Sequence, residues 1–171
     1  LKIQSYVQID MSEFSRLIDA LGGVDIVIKQ DLPIGGQRDD ASDAREWLRA
    51  SPNPQHLDGY HALWYGRSRH GTSDYDRMAR QQQIQQAILK QMDPANVLSR
   101  FEQIAAASKQ LVMTDIPVGM LSSYVDLATK AKKLGIKSLG LVPSNGFEPD
   151  LPDYNKIHQA VRTFIAKGKL S

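Results

Sequence analysis

Residues 3–28 read IQSYVQIDMSEFSRLIDALGGVDIVI, and the periodicity of that stretch changes twice. Ile3, Ser5, Val7 and Ile9 alternate with polar neighbours, the two-residue period of a half-buried strand. Phe14, Leu17, Ile18 and Leu21 then recur at helical spacing behind Ser12, a suitable N-cap, and Gly22-Gly23 supplies a left-handed stop. Val24, Ile26 and Ile28 return to alternation. This strand, helix, strand unit sets the class of the fold. The expectation is an α/β domain, a layered central sheet of mixed sense flanked by helices.

Outward from that unit, Gln30 to Ser42 carries Pro33, Gly35-Gly36 and several aspartates, the composition of a mobile surface loop. Asp39, Asp40 and Asp43 could hold a divalent cation, although a solvated loop explains them more simply. A short helix is expected over Ala44–Ala50, ahead of Pro52 and Pro54. Asp58 caps another that carries Ala62, Leu63, Trp64 and Tyr65 and delivers the chain to Arg67. A longer helix, capped by Asp74 or Asp76, runs through Ile84, Ala87 and Ile88 to Met92. Beyond it, Asp93-Pro94 opens a helix with Val97, Phe101 and Leu111 on its face, and Pro117 opens one that closes near Leu134-Gly135. Ile136–Val142 reads as a strand, and Asp153 caps a final helix with Ile157, Val161 and Phe164.

With 171 residues, 42% of them hydrophobic, the chain suits one domain with a real core. A formal net charge of +2, with basic residues dispersed outside one cluster, argues against nucleic acid as a partner. There is no cysteine, which removes disulfides, zinc-thiolate sites and thiol nucleophiles. No apolar stretch approaches the roughly 20 residues of a membrane span. The chain begins at Leu1 without an initiator methionine, as expected of a piece of a longer protein. The motifs of serine hydrolases, P-loop enzymes and zincins are absent, and His56, His61, His70 and His158 show no metal-ligand spacing.

The informative cluster is Arg67-Ser68-Arg69 followed by Asp74-Tyr75-Asp76-Arg77-Met78-Ala79-Arg80-Gln81. Arg77 and Arg80 fall in the first turns of a helix, where the macrodipole disfavours cations by up to about 1 kcal/mol each. Their spacing continues the stripe of Ile84 and Ala87, so they should face inward, where a cation needs an anion. Arg67 and Arg69, two apart, reach one side only from an extended segment. Planar guanidinium forks match phosphate oxygens. A phosphate or pyrophosphate site is expected, against the plainer reading of an ion-pair cluster with Asp74 and Asp76. His70, beside Arg69, is a further candidate for contact with the anion.

Three segments, FSRLIDALGGV at 14–24, HLDGYHALWYGRSR at 56–69 and SDYDRMARQQ at 73–82, together resemble the LytR-CpsA-Psr family of bacterial cell-wall enzymes. The resemblance covers residues 1–92 as the family core, with 93–171 as C-terminal helices and a strand of the same single domain. It implies a phosphotransferase, held by an N-terminal membrane anchor not in this chain on the extracytoplasmic face. Such enzymes move an anionic glycopolymer (teichoic acid, capsule or arabinogalactan) from a polyprenyl-pyrophosphate carrier to peptidoglycan, with Mg2+ assisting and the lipid tail between sheet and helices. The family's pyrophosphate-binding positions fall on Arg67, Arg69, Arg77, Arg80 and Gln81, and its helix-start acid on Asp74. Asp74 and Arg77 are then the catalytic candidates, Asp74 holding an arginine first of all, or sharing in metal binding or accepting a proton. The family's Arg-Ser-Asp-Thr-like and Pro-Arg-Asp-like segments, which supply metal ligands, have no counterpart here, so Asp74 is the one metal candidate in view. The flavour of ALWYGRSR hints at arabinogalactan. A carrier-binding module without turnover and a lipid pyrophosphatase remain as other readings.

Overall fold

The structure, a computed structural model, describes residues 5–37, 42–91, 112–134 and 137–169. The chain divides into two compact units, Leu1–Gly135 and Ile136–Ser171. In the first, β1 (Val7–Ile9) leads into α1 (Met11–Ala20) and β2 (Val24–Ile26) follows, the unit expected from the sequence. The cap of α1 is Asp10, not Ser12: Asp10 Oδ1 accepts from the Glu13 amide at 2.9 Å, and the Ser12 hydroxyl donates to the same oxygen at 2.8 Å. A carboxylate serves the helix N-terminus better than a hydroxyl because it also opposes the dipole. Gly22 and Gly23 end α1 at φ 87° and 81°, and the Gly23 amide donates back to the Ile18 carbonyl at 2.9 Å. At Gly23 a Cβ would lie 2.4 Å from the His56 ring, so the close pairing that follows needs glycine there.

That pairing is antiparallel, Val24 opposite Leu57 and Ile26 opposite Gln55, with β5 spanning Gln55–Leu57. Two expectations between these strands are corrected. Leu32–Ile34, expected to be loop, is β3, and Glu46–Leu48, expected to be helix, is β4. The two pair antiparallel with Leu32 opposite Leu48. Pro33 and the intervening glycines hid β3, yet all three of its residues are buried, and burial against a neighbouring strand overrides the weak local preference of a three-residue segment. Of the aspartates in the connecting arm, Asp43 accepts from the Gln37 amide at 2.6 Å; Asp39 and Asp40 lie outside the described residues.

Asp58 caps α2 (Gly59–Arg67), accepting from the His61 amide at 2.9 Å. Helix α3 (Asp74–Gln91) is capped by Ser73, not by Asp74 or Asp76. The Ser73 hydroxyl accepts from the Asp76 amide while the Asp76 carboxylate accepts from the Ser73 amide at 2.9 Å, a reciprocal capping box. Ile18, Val24, Leu57, Ala62 and Ile84, each at most 4% exposed, form the core where α1, α2, α3 and the strands meet. Two glycines allow the helices to close on it. A Cβ at Gly59 would lie 1.9 Å from the Ser15 carbonyl oxygen, and one at Gly66 2.9 Å from Ile84 Cδ1.

The expected helix from Asp93 to Leu111 lies outside the described residues. Beyond it, Val112–Thr114 forms β6, which sequence reading missed, paired antiparallel with β1. A 3-10 turn at Val118–Met120 leads into α4 (Leu121–Leu134). All described ladders are thus two-stranded and antiparallel. The strand expected at Ile136–Val142 is corrected for residues 137–142, which are irregular. A strand needs a partner, and among the described residues none pairs with this segment. In the second unit, Asp153 caps α5 (Tyr154–Lys169) by accepting from the Lys156 amide at 3.1 Å.

Candidate functional site

The chain leaves α2 at Arg67 and turns extended at Ser68 (φ −55°, ψ 136°), so alternate residues point to opposite sides. Ser68, 2% exposed, turns inward, and its hydroxyl donates to the Pro33 carbonyl at 3.0 Å. Arg67 and Arg69 turn the other way. Together with Arg77 from the first turn of α3 they line one cavity of about 290 Å3, completed by Trp64, Ser68, His70, Gly36 and Gln37. Among the described residues no carboxylate lines it.

Each arginine is positioned by contacts of its own side chain. Arg67 lies over the Trp64 ring, its guanidinium carbon 4.5 Å from the centroid, an arrangement that stabilises a cation and fixes its plane. Arg69 forks onto Asp74, with Nε and Nη2 3.1 and 3.0 Å from Oδ1 and Nη2 3.2 Å from Oδ2. Arg77 Nη2 stands 3.4 Å from the same Oδ1. One carboxylate therefore positions two guanidiniums while three face the cavity, and the excess of positive charge is left for a guest. Asp74 makes an ion-pair network, as the plainer reading has it, and that network leaves its cations facing the cavity.

Arg80, also expected at the phosphate, is not among the residues that line the cavity. It is 6% exposed and turned beneath the loop, where Nε donates to the Tyr65 carbonyl at 2.7 Å and Nη2 donates to the Ser68 carbonyl and, at 3.2 Å, to the Thr72 hydroxyl. These carbonyls belong to the end of α2, where helical C=O groups lack partners and the dipole favours a cation. Burial pushes the Arg80 guanidinium below its ordinary pKa, and the Asp76 carboxylate counters part of that. Gln81 Nε2 donates to the Gly66 carbonyl at 3.2 Å, again at the end of α2, and does not line the arginine cavity.

Gln81 lines a neighbouring groove instead, about 320 Å3 in volume, in which Phe14, Leu63, Ile84 and Ile88 present apolar surface from α1, α2 and α3. The apolar groove and the cavity of guanidiniums thus share Arg67 as a common lining residue. The sequence reading missed this groove because its apolar members come from three separate helices, and it named Trp64 only as part of the helix that delivers the chain to Arg67, not as the support of that arginine.

Among the described residues no three His, Cys, Asp or Glu side chains converge as a metal site. Asp74 has both oxygens engaged by Arg69. The described residues therefore present no preformed set of Mg2+ ligands. No helix among them is long and apolar enough to cross a membrane.

Residues 1–167 match the LytR_cpsA_psr family. The chain belongs to that family. It is 29% identical to the polyisoprenyl-teichoic acid–peptidoglycan teichoic acid transferase TagV of Bacillus subtilis, over 96% of this chain and 44% of TagV. Biofilm regulatory protein A of Streptococcus mutans is 26% identical over 85% of this chain and 37% of its own length. The chain thus spans less than half the length of these relatives. Among solved structures, TagV of B. subtilis superposes with a TM-score of 0.63 at 23% identity, covering 95% of this chain and 63% of TagV. A LytR-Csp2A-Psr enzyme from Actinomyces oris does so with 0.58 at 22% identity, covering 77% and 52%. These likenesses show the fold to be that of LytR-CpsA-Psr domains.

Proposed function

We propose that the chain is part of a phosphotransferase that moves a glycopolymer from a polyprenyl-pyrophosphate carrier to peptidoglycan at the outer face of the cell membrane. The observation that carries the reading is the junction at Arg67, where an apolar groove meets a cavity lined by three guanidiniums. A polyprenyl pyrophosphate has the same two parts in the same order. The TagV relative, whose name specifies transfer of teichoic acid from a polyisoprenyl carrier to peptidoglycan, supports the same class of donor and acceptor. The polymer would belong to the teichoic acid, capsule or arabinogalactan type.

In such a transfer a peptidoglycan hydroxyl attacks the phosphorus that carries the polymer. The bond from that phosphorus to the bridging oxygen breaks, polyprenyl phosphate leaves, and the hydroxyl proton is lost to a base or solvent. Positioning and neutralisation of charge dominate a step of this kind. Arg69 and Arg77, preset by Asp74, would take the non-bridging oxygens, and Arg67 would hold the phosphate nearer the lipid. Asp74 acts as a positioning group, because its oxygens are already taken up by the guanidiniums of Arg69 and Arg77. Gln81 would stand where pyrophosphate gives way to lipid. Mg2+ assistance, as the family resemblance implies, belongs to the proposal, with no described residue as its ligand.

The test is a transfer assay with a labelled glycopolymer on a polyprenyl-pyrophosphate carrier and purified peptidoglycan. Label on peptidoglycan with release of polyprenyl phosphate is the expected result. Release of polymer phosphate without peptidoglycan label would make the protein a lipid pyrophosphatase, and binding without release would make it a carrier-binding module.

A further inference from the structure

One wall of the arginine cavity comes from neither α2 nor α3. Gly36 and Gln37, on the arm that follows β3, line it together with the guanidiniums, and they do not line the apolar groove. Arg67 lines both cavity and groove, whereas Gly36 and Gln37 line the cavity alone; with a lipid in the groove, this wall would stand at the other end, beside whatever is bonded to the far phosphate.

The wall is fixed by contacts that leave little slack. Gly35 and Gly36 have φ of 79° and 82°, where an L side chain is strained. A Cβ at Gly36 would lie 2.5 Å from the Asp43 carbonyl oxygen, and one at Gly35 3.1 Å from the Tyr60 hydroxyl. The Gln37 amide donates to Asp43 Oδ2 at 2.6 Å. What joins this arm to the arginine loop is His70. It is 3% exposed, and its Nε2 lies 3.1 Å from the Gly35 carbonyl oxygen, which can only accept, so Nε2 carries a proton and donates. The His70 ring stacks at 15° and 6.3 Å on Trp64, the same indole that supports Arg67. Two residues earlier, Ser68 makes the parallel tie to the Pro33 carbonyl. The segment that carries the arginines is thus sewn to β3 at the Pro33 carbonyl and to the arm at the Gly35 carbonyl, and His70 makes the tie to the arm.

We propose that His70 is a positioning residue that holds the Gly36–Gln37 wall, and that this wall, through the exposed Gln37 amide, contacts the sugar end of the donor and selects it. A primary amide offers both a donor and an acceptor, which suits sugar hydroxyls. The inference rests on the function proposed above, since it takes the lipid end to lie in the groove.

Two ligands separate the ideas. Geranylgeranyl pyrophosphate carries lipid and pyrophosphate only; the corresponding prenyl-pyrophosphoryl N-acetylglucosamine adds a sugar. In calorimetric titration of the protein, His70→Ala should weaken the sugar-bearing ligand about tenfold and geranylgeranyl pyrophosphate less than about twofold. His70→Gln, whose amide N–H reaches the position of Nε2, should restore most of the loss. Gln37→Ala, an exposed change that leaves the fold alone, should reproduce the same selective loss and decides the matter if His70→Ala fails to fold. Equal loss for both ligands, or no loss for either, would overturn the proposal. Failure of the unaltered protein to bind geranylgeranyl pyrophosphate would instead overturn the functional reading beneath it.

Discussion

The two sides of the loop from Arg67 to Ser73 are built from the same residue type and put it to opposite use. On the solvent side Arg67, Arg69 and Arg77 are held by an indole and a single carboxylate, and their charge faces a cavity. On the underside Arg80, one helical turn from Arg77, is enclosed and spends its donors on the carbonyls of Tyr65 and Ser68. The difference teaches that position on a helical stripe does not settle what an arginine binds. A guanidinium over a helix C-terminus finds its partners in backbone, whereas one beside a cavity keeps an opening for a guest.

The sharpest break of this comparison is Arg80→Ala. It strips two buried carbonyls of their donors, each costing about 1–3 kcal/mol, so the urea midpoint should fall by the largest amount of any single arginine substitution. Stability close to that of the unaltered protein would mean the underside is not the tie described here. Next in size, Arg77→Ala should weaken binding of a polyprenyl pyrophosphate about 10- to 100-fold, from the loss of a charge-assisted contact worth roughly 1.5–3 kcal/mol. Its half-exposed pairing with Asp74 is worth at most about 1 kcal/mol, so the melting temperature should barely move. Gln81→Ala should lower the same affinity only severalfold, read by the same titration, because its amide meets the Gly66 carbonyl rather than the cavity. The smallest effect concerns pH. Burial alone would lower the pKa of His61, but the carboxylates of Glu46 and Asp58, 2.8 and 2.7 Å from its ring nitrogens, outweigh it and raise it above the ordinary value. The tie of α2 to β4 is then fully present below about pH 6.5 and is lost as pH rises through the raised value. Melting curves from pH 5.5 to 8.5 should show a small decline that His61→Gln removes.

Much of this was legible in the residues. The change of period between Val7 and Val24 gave β1, α1 and β2, and Asp58 and Asp153 marked helix starts that the structure keeps. Arg67 and Arg69 could be placed on one side because their i, i+2 spacing requires an extended exit, and Ser68 supplies it. What failed was non-local. Leu32–Ile34 and Glu46–Leu48 are strands only because they find each other across a long arm, and neither has a pattern strong enough to say so alone. The inward stripe that carries Arg80 does not reveal that the carbonyls of Tyr65 and Ser68 at the end of α2 lie within its reach. The groove, assembled from three helices, has no signature in any one of them.

The most direct measurement is a calorimetric titration of geranylgeranyl pyrophosphate into the protein and into Arg77→Ala, with geranylgeraniol as the ligand lacking phosphate and a melting curve for each protein. The account predicts binding of the pyrophosphate by the unaltered protein, at least tenfold weaker binding by the variant at an unchanged melting temperature, and much weaker binding of the alcohol by both. Equal affinity of the two proteins for the pyrophosphate, or equal affinity for pyrophosphate and alcohol, would contradict the claim that the solvent-side arginines form a pyrophosphate site.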